Sequence, residues 1–588
     1  MIPFARFPRV AASSVAVVLL TGLISLPQAR AAAIFCVKPG GGGGCSATIQ
    51  GAVTAASPGD TVRVAKGTYT ESVLIDKTVI LLGGWNLSFT KRAPKVNITT
   101  IVSPAAAMQS VVTIQGVFGN PSSVAPRVDG FTITGGNPDN HGGGMRIVDS
   151  NATISKNLIT NNIGYLFGGG VWVQRGAPTF SGNTIANNHV TTSGASGGGI
   201  ELESTQATLA NNIISNNVVD AAAGQGGGLA IEGGGPVTLT GNEVRDNAAA
   251  TTVGTGTDFG YGGGIWVDGA DFSLKGGLIQ NNAANSYSAK YGNGEGGGLY
   301  VSDSQGFSVS GTTINGNTGG WSNAFPPSAY LRGGGVLIVS SSGTLRNVTV
   351  SGNQANRYLV FGNGGGLAIS ASDITVRGGA ILNNKTSTNC EGFGGGIYAN
   401  GSTLTLDATR LDNNCASNTP FYGLGGAFAS IGSNFDLSNA ILTNNSAFPN
   451  DTAVGGIWSD AASFGTVVNC TLAGNKAQAI RSAGALLVRN TIIAGGTTGI
   501  NKTMGSLSVR FNDLYGQTVA PTAGFTPDAT NLSVDPLLDV TYHLTGASPM
   551  IDAGTATLAP NHDYDGDVRP LIGTSGALRF DIGADEFV

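Results

Sequence analysis

Glycine triplets recur along this chain at Gly142, Gly168, Gly197, Gly226, Gly262, Gly296, Gly333, Gly364 and Gly394, with degenerate copies as Leu-Gly-Gly-Ala from Leu424 and Val-Gly-Gly-Ile from Val454. Successive triplets lie 26 to 37 residues apart. The variation is confined to one part of the period. From the triplet to the following Asn-Asn or Gly-Asn pair, at Asn187, Asn216, Asn281, Gly316, Gly352, Asn383 and Asn413, the distance is 19 or 20 residues. Only the stretch from that pair to the next triplet changes length. A fixed core with one elastic edge is what stacked solenoid coils require.

Each core opens on an alternation: Val171 and Val173, Ile200 and Leu202, Leu229 and Ile231, Ile265 and Val267, Leu299 and Val301. Alternate apolar residues mark a strand with one buried face. A second short run (residues 207–210, 237–240) and a third (213–215) follow, with Gly and Asn between them. No 3.6-residue periodicity runs long enough for helical repeats. The pattern predicts an all-β fold: a single-stranded right-handed parallel β-helix with three strands per coil, of roughly 16 to 20 coils and on the order of 80 to 95 Å long. Gly and Asn suit the turns because both tolerate the left-handed backbone, and an Asn amide both donates and accepts. Two Asn columns are expected to stack as ladders: Asn157, Asn183, Asn212 and Asn242, and Asn162, Asn188, Asn217, Asn247 and Asn282.

Composition narrows the classes. The 588 residues include 93 Gly but no Gly-X-Y triplet period, and 41% are hydrophobic, which fits neither collagen nor disorder. Only 11% are charged and the net charge is -5, so no nucleic-acid partner is expected. Arg6 and Arg9 precede an apolar run and then small residues, so residues 1–33 read as a secretory signal peptide; no later stretch could span a bilayer as a helix. Export fits disulfides, and spacing suggests Cys36 with Cys45 and Cys390 with Cys415, leaving Cys470 buried and unpaired. The four histidines, His141, His189, His543 and His562, are scattered, so no zinc site is expected.

The chain divides into residues 34–135 (amino-terminal cap and first coils), 136–504 (Gly/Asn-rich repeats) and 505–588 (final coils and carboxyl-terminal region). Residues 45–85 read as a short amphipathic helix, a Pro-Gly-Asp turn and alternating strands, the helix covering the open edge of the first coil. This segment, with Val-Asp-Gly-Phe-Thr-Ile-Thr-Gly-Gly at 128–136, resembles the cap of pectate-lyase-like right-handed parallel β-helix proteins. Ser-Pro-Met-Ile-Asp-Ala-Gly (548–554), Asp-Tyr-Asp-Gly-Asp-Val-Arg-Pro (563–570) and Asp-Ile-Gly-Ala-Asp-Glu-Phe (581–587) resemble the choice-of-anchor Q region of bacterial secreted β-helix proteins. The repeats, with Phe180-Ser-Gly-Asn183, are also similar to those of chlamydial polymorphic outer-membrane proteins. These resemblances imply a secreted or cell-surface β-helix.

If residues one and three past a triplet point inward, those two and four past it point out, and two outward columns follow. The first runs Arg146, Trp172, Glu201, Ala230, Trp266, Tyr300 and on through Tyr398, Phe428 and Trp458. The second runs Gln174, Glu203, Glu232, Asp268, Ser302 and on to Asn400, Ser430 and Asp460. Aromatic faces stack on sugar rings and acids bond hydroxyls, so Trp172, Glu201, Glu203, Glu232, Trp266, Asp268 and Tyr300 form the expected ligand-binding set. Glu203, Glu232 and Asp268 are the candidate catalytic acids. The long elastic segments add a second rim holding Tyr261, Tyr287, Tyr291, Trp321, Phe325 and Tyr330. Asp563, Asp565 and Asp567 resemble part of a calcium loop, and calcium is the one candidate cofactor. The reading is a monomeric, non-enzymatic protein that binds a polysaccharide or cell-surface component, with a pectin-lyase-like polysaccharide lyase or glycoside hydrolase on the same face as the alternative.

Overall fold

The computed structural model describes residues 30–104, 108–139, 141–251, 259–286, 293–320, 331–356, 362–387, 392–416, 423–447, 453–572 and 578–588. Most of the expected signal peptide, residues 1–29, therefore lies outside the described residues, as does Cys390. The molecule is a right-handed parallel β-helix, and its strands stack with one residue per coil in register. Fifteen successive parallel pairings, from Val73–Ile75 to Ala520–Ala523, link sixteen strands that follow the triplets or occupy the same place. At ~4.8 Å per step this ladder is about 70 Å long.

Ile200, Leu202, Leu209 and Ile214 point inward from the three strands of one coil and are fully buried, and the same positions repeat through one continuous core. The triplet makes the corner. Gly197 has φ +66, and a Cβ on Gly198 or Gly199 would lie 2.4 or 2.5 Å from a glycine carbonyl of the next coil. A larger side chain at either position would press on the backbone of the next coil, so glycine is favoured there, and only the small Ala427 takes a third place among the described triplets.

The Asn pairs divide their labour. The first residue turns the chain, as at Asn187, Asn216, Asn281, Asn383 and Asn413, with φ between +52 and +57. The second joins a ladder. Asn162, Asn188, Asn217, Asn247, Asn282, Asn317, Asn353, Asn384, Asn414 and Asn445 each donate from Nδ2 to Oδ1 of the next member at 2.9 to 3.1 Å, and the ladder ends on Asn475. Each of these amides also accepts from or donates to backbone, so a column of buried polar groups is satisfied along its length. The ladder runs well beyond Asn282 because Gly-Asn serves the same purpose as Asn-Asn. The second column, Asn157 to Asn242, is bonded in the same way at 2.9 to 3.2 Å.

At the amino end, helix Ile49–Ala55 buries Ile49, Ala52 and Val53. Thr48 caps it, and the Glu71 carboxylate accepts from the amides of Ile49 and Gln50 at 2.8 Å, satisfying donors a helix start leaves open. Cys36 and Cys45 are joined in a disulfide nearby. At the other end the ladder of post-triplet strands stops at Ala523, and the last coil closes at Leu532, where Asn531 and Leu532 bond to Asn512. The chain then turns back along the solenoid flank, with Leu544, Met550 and Ile582 packed on Ile492. Gly583 and Ala584 donate to Asn490 O and Thr471 Oγ1, and His562 reaches Asp407 at 2.9 Å. Residues 505–588 are thus one last coil followed by a docked segment. No helix among the described residues is long and apolar enough to cross a membrane.

Candidate functional site

The two expected outward columns have different surroundings. In the repeats the chain enters each triplet from a further short strand, such as Ala195–Ser196, Ala223–Gln225 and Phe259–Tyr261, which pairs in a parallel ladder of its own. The left-handed first glycine folds this strand against the one that follows, and the residue two past the triplet lies in the inner angle. Trp172, Glu201 and Trp266 are accordingly 3%, 1% and 8% exposed, and Tyr300 is half-buried. Tyr261 meets Tyr300 edge-on at 5.3 Å; His141 packs 4.9 Å from Trp172, and the Arg146 guanidinium lies 5.3 Å over its ring. The expected exterior aromatic stripe is a seam between two walls. It offers no stacking platform.

Two members of these columns were also one residue out of register. In Leu-Gly-Gly-Ala the glycines fill the first two places of the triplet, so Phe428 pairs with Ile397 and faces the core, and Ala429 takes the seam position. Ser430 likewise pairs with Ala399, and Ile431 opposes Asn400.

The second column lines up with its carboxylates reaching solvent, and from Gln174 to Ser302 only the last member, Ser302, is buried. Gln174, Glu203, Glu232, Asp268 and Ser302 are successive partners, one per coil. Gln174 donates to Glu203 at 2.9 Å and Ser302 Oγ to Asp268 at 2.5 Å, so the row ends on neutral hydrogen-bonding groups around three carboxylates. Glu203 and Asp268 are half-buried and Glu232 is exposed. Partial desolvation, then the neighbouring charges of Glu203 and Asp268, raise the Glu232 pKa above the usual carboxylate range. Behind the row, Glu201 is pushed up to about 8, first by burial, with an opposing contribution from Ser196 and added repulsion from Glu232 and Glu203. Neither of its oxygens has a hydrogen-bond partner of good geometry, nor has Trp172 Nε1. Glu201 therefore holds a proton at neutral pH, beside carboxylates that water reaches.

The remaining candidates disperse. Tyr287, Tyr291, Trp321, Phe325 and Tyr330 of the second rim lie outside the described residues. Cys415 is buried, and its proposed partner Cys390 is among the undescribed residues. Cys470 is a buried thiol whose Sγ donates to Val468 O. Asp563, Asp565 and Asp567 do not converge as a calcium loop. Asp563 is buried, with Oδ1 accepting from the amides of Asp565, Gly566 and Asp567 at 2.8 to 3.0 Å and Oδ2 from that of Glu586 at 3.0 Å. Asp567 is exposed, and Asp565 turns to His543. The carboxyl-terminal motif is a structural knot: Arg569, with its side chain wholly buried, pairs with Glu586 at 3.1 Å and donates to the carbonyls of Gly583 and Ala584, and Asp581 accepts from the amides of Asp552 and Phe587.

A family model described as a right handed beta helix region matches residues 115–284. No curated protein sequence matches the chain. Among solved structures, tailspike protein 3 of bacteriophage CBA120 is similar at 11% identity and a TM-score of 0.36, over 66% of this chain and 59% of that one. The chain thus spans about three-fifths of the tailspike. The PL6 family alginate lyase AlyGC is similar at 10% identity and a TM-score of 0.24, over 82% and 98% of the two chains. The A-module of the Azotobacter vinelandii mannuronan C-5 epimerase AlgE6 is similar at 12% identity and 0.23, over 83% and 94%.

Proposed function

We propose that this protein is exported and, as a monomer, binds a neutral or amino-bearing polysaccharide along the row Gln174, Glu203, Glu232 and Asp268, without turnover. The row itself carries the reading. It sets one hydrogen-bonding side chain per coil along a rigid sheet, so a hydroxyl-rich polymer lying along the axis meets a donor or acceptor at each ~4.8 Å step. Three carboxylates repel uronate polymers and favour hydroxyls and ammonium groups. Export rests on the leader-like residues 1–33 and on the Cys36–Cys45 disulfide, which needs an oxidising compartment. The test is a glycan array followed by calorimetry, with Glu203→Gln/Glu232→Gln/Asp268→Asn as the comparison. Binding that disappears in the triple variant supports the reading; no ligand, or undiminished binding, sinks it.

Glycoside hydrolysis is the second reading, favoured by the raised Glu232 beside Glu203 and Asp268. A carboxyl whose pKa is raised beside further carboxylates is the kind of arrangement such hydrolysis uses. Adjacent coils set carboxylates roughly 5 Å apart and alternate coils about 10 Å, near the retaining and inverting separations. Release of reducing ends by the wild type and not by Glu232→Gln would establish it in place of simple binding.

A further inference from the structure

His543, Asp565 and Asp585 come from three separate stretches of the carboxyl-terminal segment. Ligand atoms, one from each, lie within 4.8 Å of one another, and among the described residues no other three His, Cys, Asp or Glu side chains converge in this way. His543 Nε2 is 2.8 Å from Asp565 Oδ2. Its other ring nitrogen faces Thr541 Oγ1 at 2.8 Å, and that hydroxyl bonds in turn to Asp539. Tyr564 meets the ring edge-on at 5.9 Å. A polar partner on Nδ1 and packing on the ring face are the support that aims the opposite nitrogen of a metal-binding imidazole. Asp585 is buried and steadied by the Leu544 amide at 2.8 Å on one oxygen. An ionised carboxylate has about four lone-pair sites, so this bond leaves room for a ligand.

We infer that His543, Asp565 and Asp585 hold a divalent transition-metal ion of zinc-like preference, which ties the turn at His543, the loop at Asp565 and the terminal motif together. One imidazole with two carboxylates suits zinc, cobalt or manganese, whereas calcium takes oxygen ligands. Ligands at ~2.1 Å from one tetrahedral ion lie about 3.4 Å apart, so closing the set from within 4.8 Å takes side-chain shifts on the order of an ångström, which rotation of the exposed Asp565 side chain supplies. The scattered histidines hid this site because its ligands share no local spacing.

The test strips the purified protein with a chelator and titrates it with zinc by calorimetry, with cobalt(II) by visible absorption, and with calcium in parallel. Expected are about one zinc equivalent bound at micromolar or tighter affinity, weaker calcium binding, and zinc binding weakened at least ~10-fold in Asp565→Asn and His543→Gln but unchanged in Asp567→Asn. Absence of zinc uptake by the wild type, or affinity that survives Asp565→Asn and His543→Gln, overturns the site. Should His543→Gln fail to fold, the exposed Asp565→Asn decides alone.

Discussion

The repeat coils and the docked carboxyl-terminal segment solve one problem in opposite ways. Both bury polar groups against the same solenoid. In the coils a single solution is copied along the axis, so Asn217 donates to Ile185 O and Asn247 Oδ1 and accepts from Asn188, as its neighbours do in turn. In the terminal segment every contact is made once: Asp563 gathers four backbone amides, and Arg569 neutralises Glu586 while bonding two carbonyls. Damage to a copied contact is shared with nearest neighbours. Damage to a unique one has nothing beside it to compensate.

Arg569→Met should break this contrast most severely. It strands a buried carboxylate and costs about 3 to 5 kcal/mol. Limited proteolysis and hydrogen exchange should show residues 533–588 released while the Asn-ladder amides stay protected; global unfolding would refute the independence of the two regions. Asn217→Ala removes four hydrogen bonds from the middle of the ladder and should cost about 2 to 4 kcal/mol in urea unfolding. The same change at Asn531, near the end of the last coil and only partly buried, should cost less.

Glu201→Gln sharpens the comparison inside the repeats, where Glu201 is a polar group the ladders do not serve. Its pKa rises from 4.5 to about 8 on folding, so the folded state holds the proton more tightly. Stability from this group is full below pH 4.5 and is lost as pH rises through about 8, at up to ~1.4 kcal/mol per pH unit. Thermal midpoints of wild type and Glu201→Gln should agree near pH 4.5, and the variant should be the more stable at pH 8; parallel curves would refute the assignment. The smallest effect belongs to Asp567→Asn. Exposed within the same motif as Asp563, it should shift stability by no more than about 0.5 kcal/mol.

Much of this architecture was legible beforehand. Triplet spacing, strand alternation and Asn pairing predicted the coil, its register and the ladders, and the acid row at Glu203, Glu232 and Asp268 followed from counting positions. The register slipped only at Phe428 and Ser430, where a degenerate triplet left its place ambiguous. Trp172 and Glu201 were misplaced for another reason: alternation says which face of a strand a residue takes, and the elastic segment decides what covers that face. Its length varies between repeats, and its return as a short strand before the next triplet left no hydrophobic signal long enough to read.

The sequence by itself determined the period, the inward face and the stacking of like residues, because each depends on local geometry repeated along one axis. Tertiary structure alone decided which outward residues meet water, what Asp563 binds, and how His543, Asp565 and Asp585 meet. Those outcomes depend on where distant segments return to the solenoid, and no local pattern records that path.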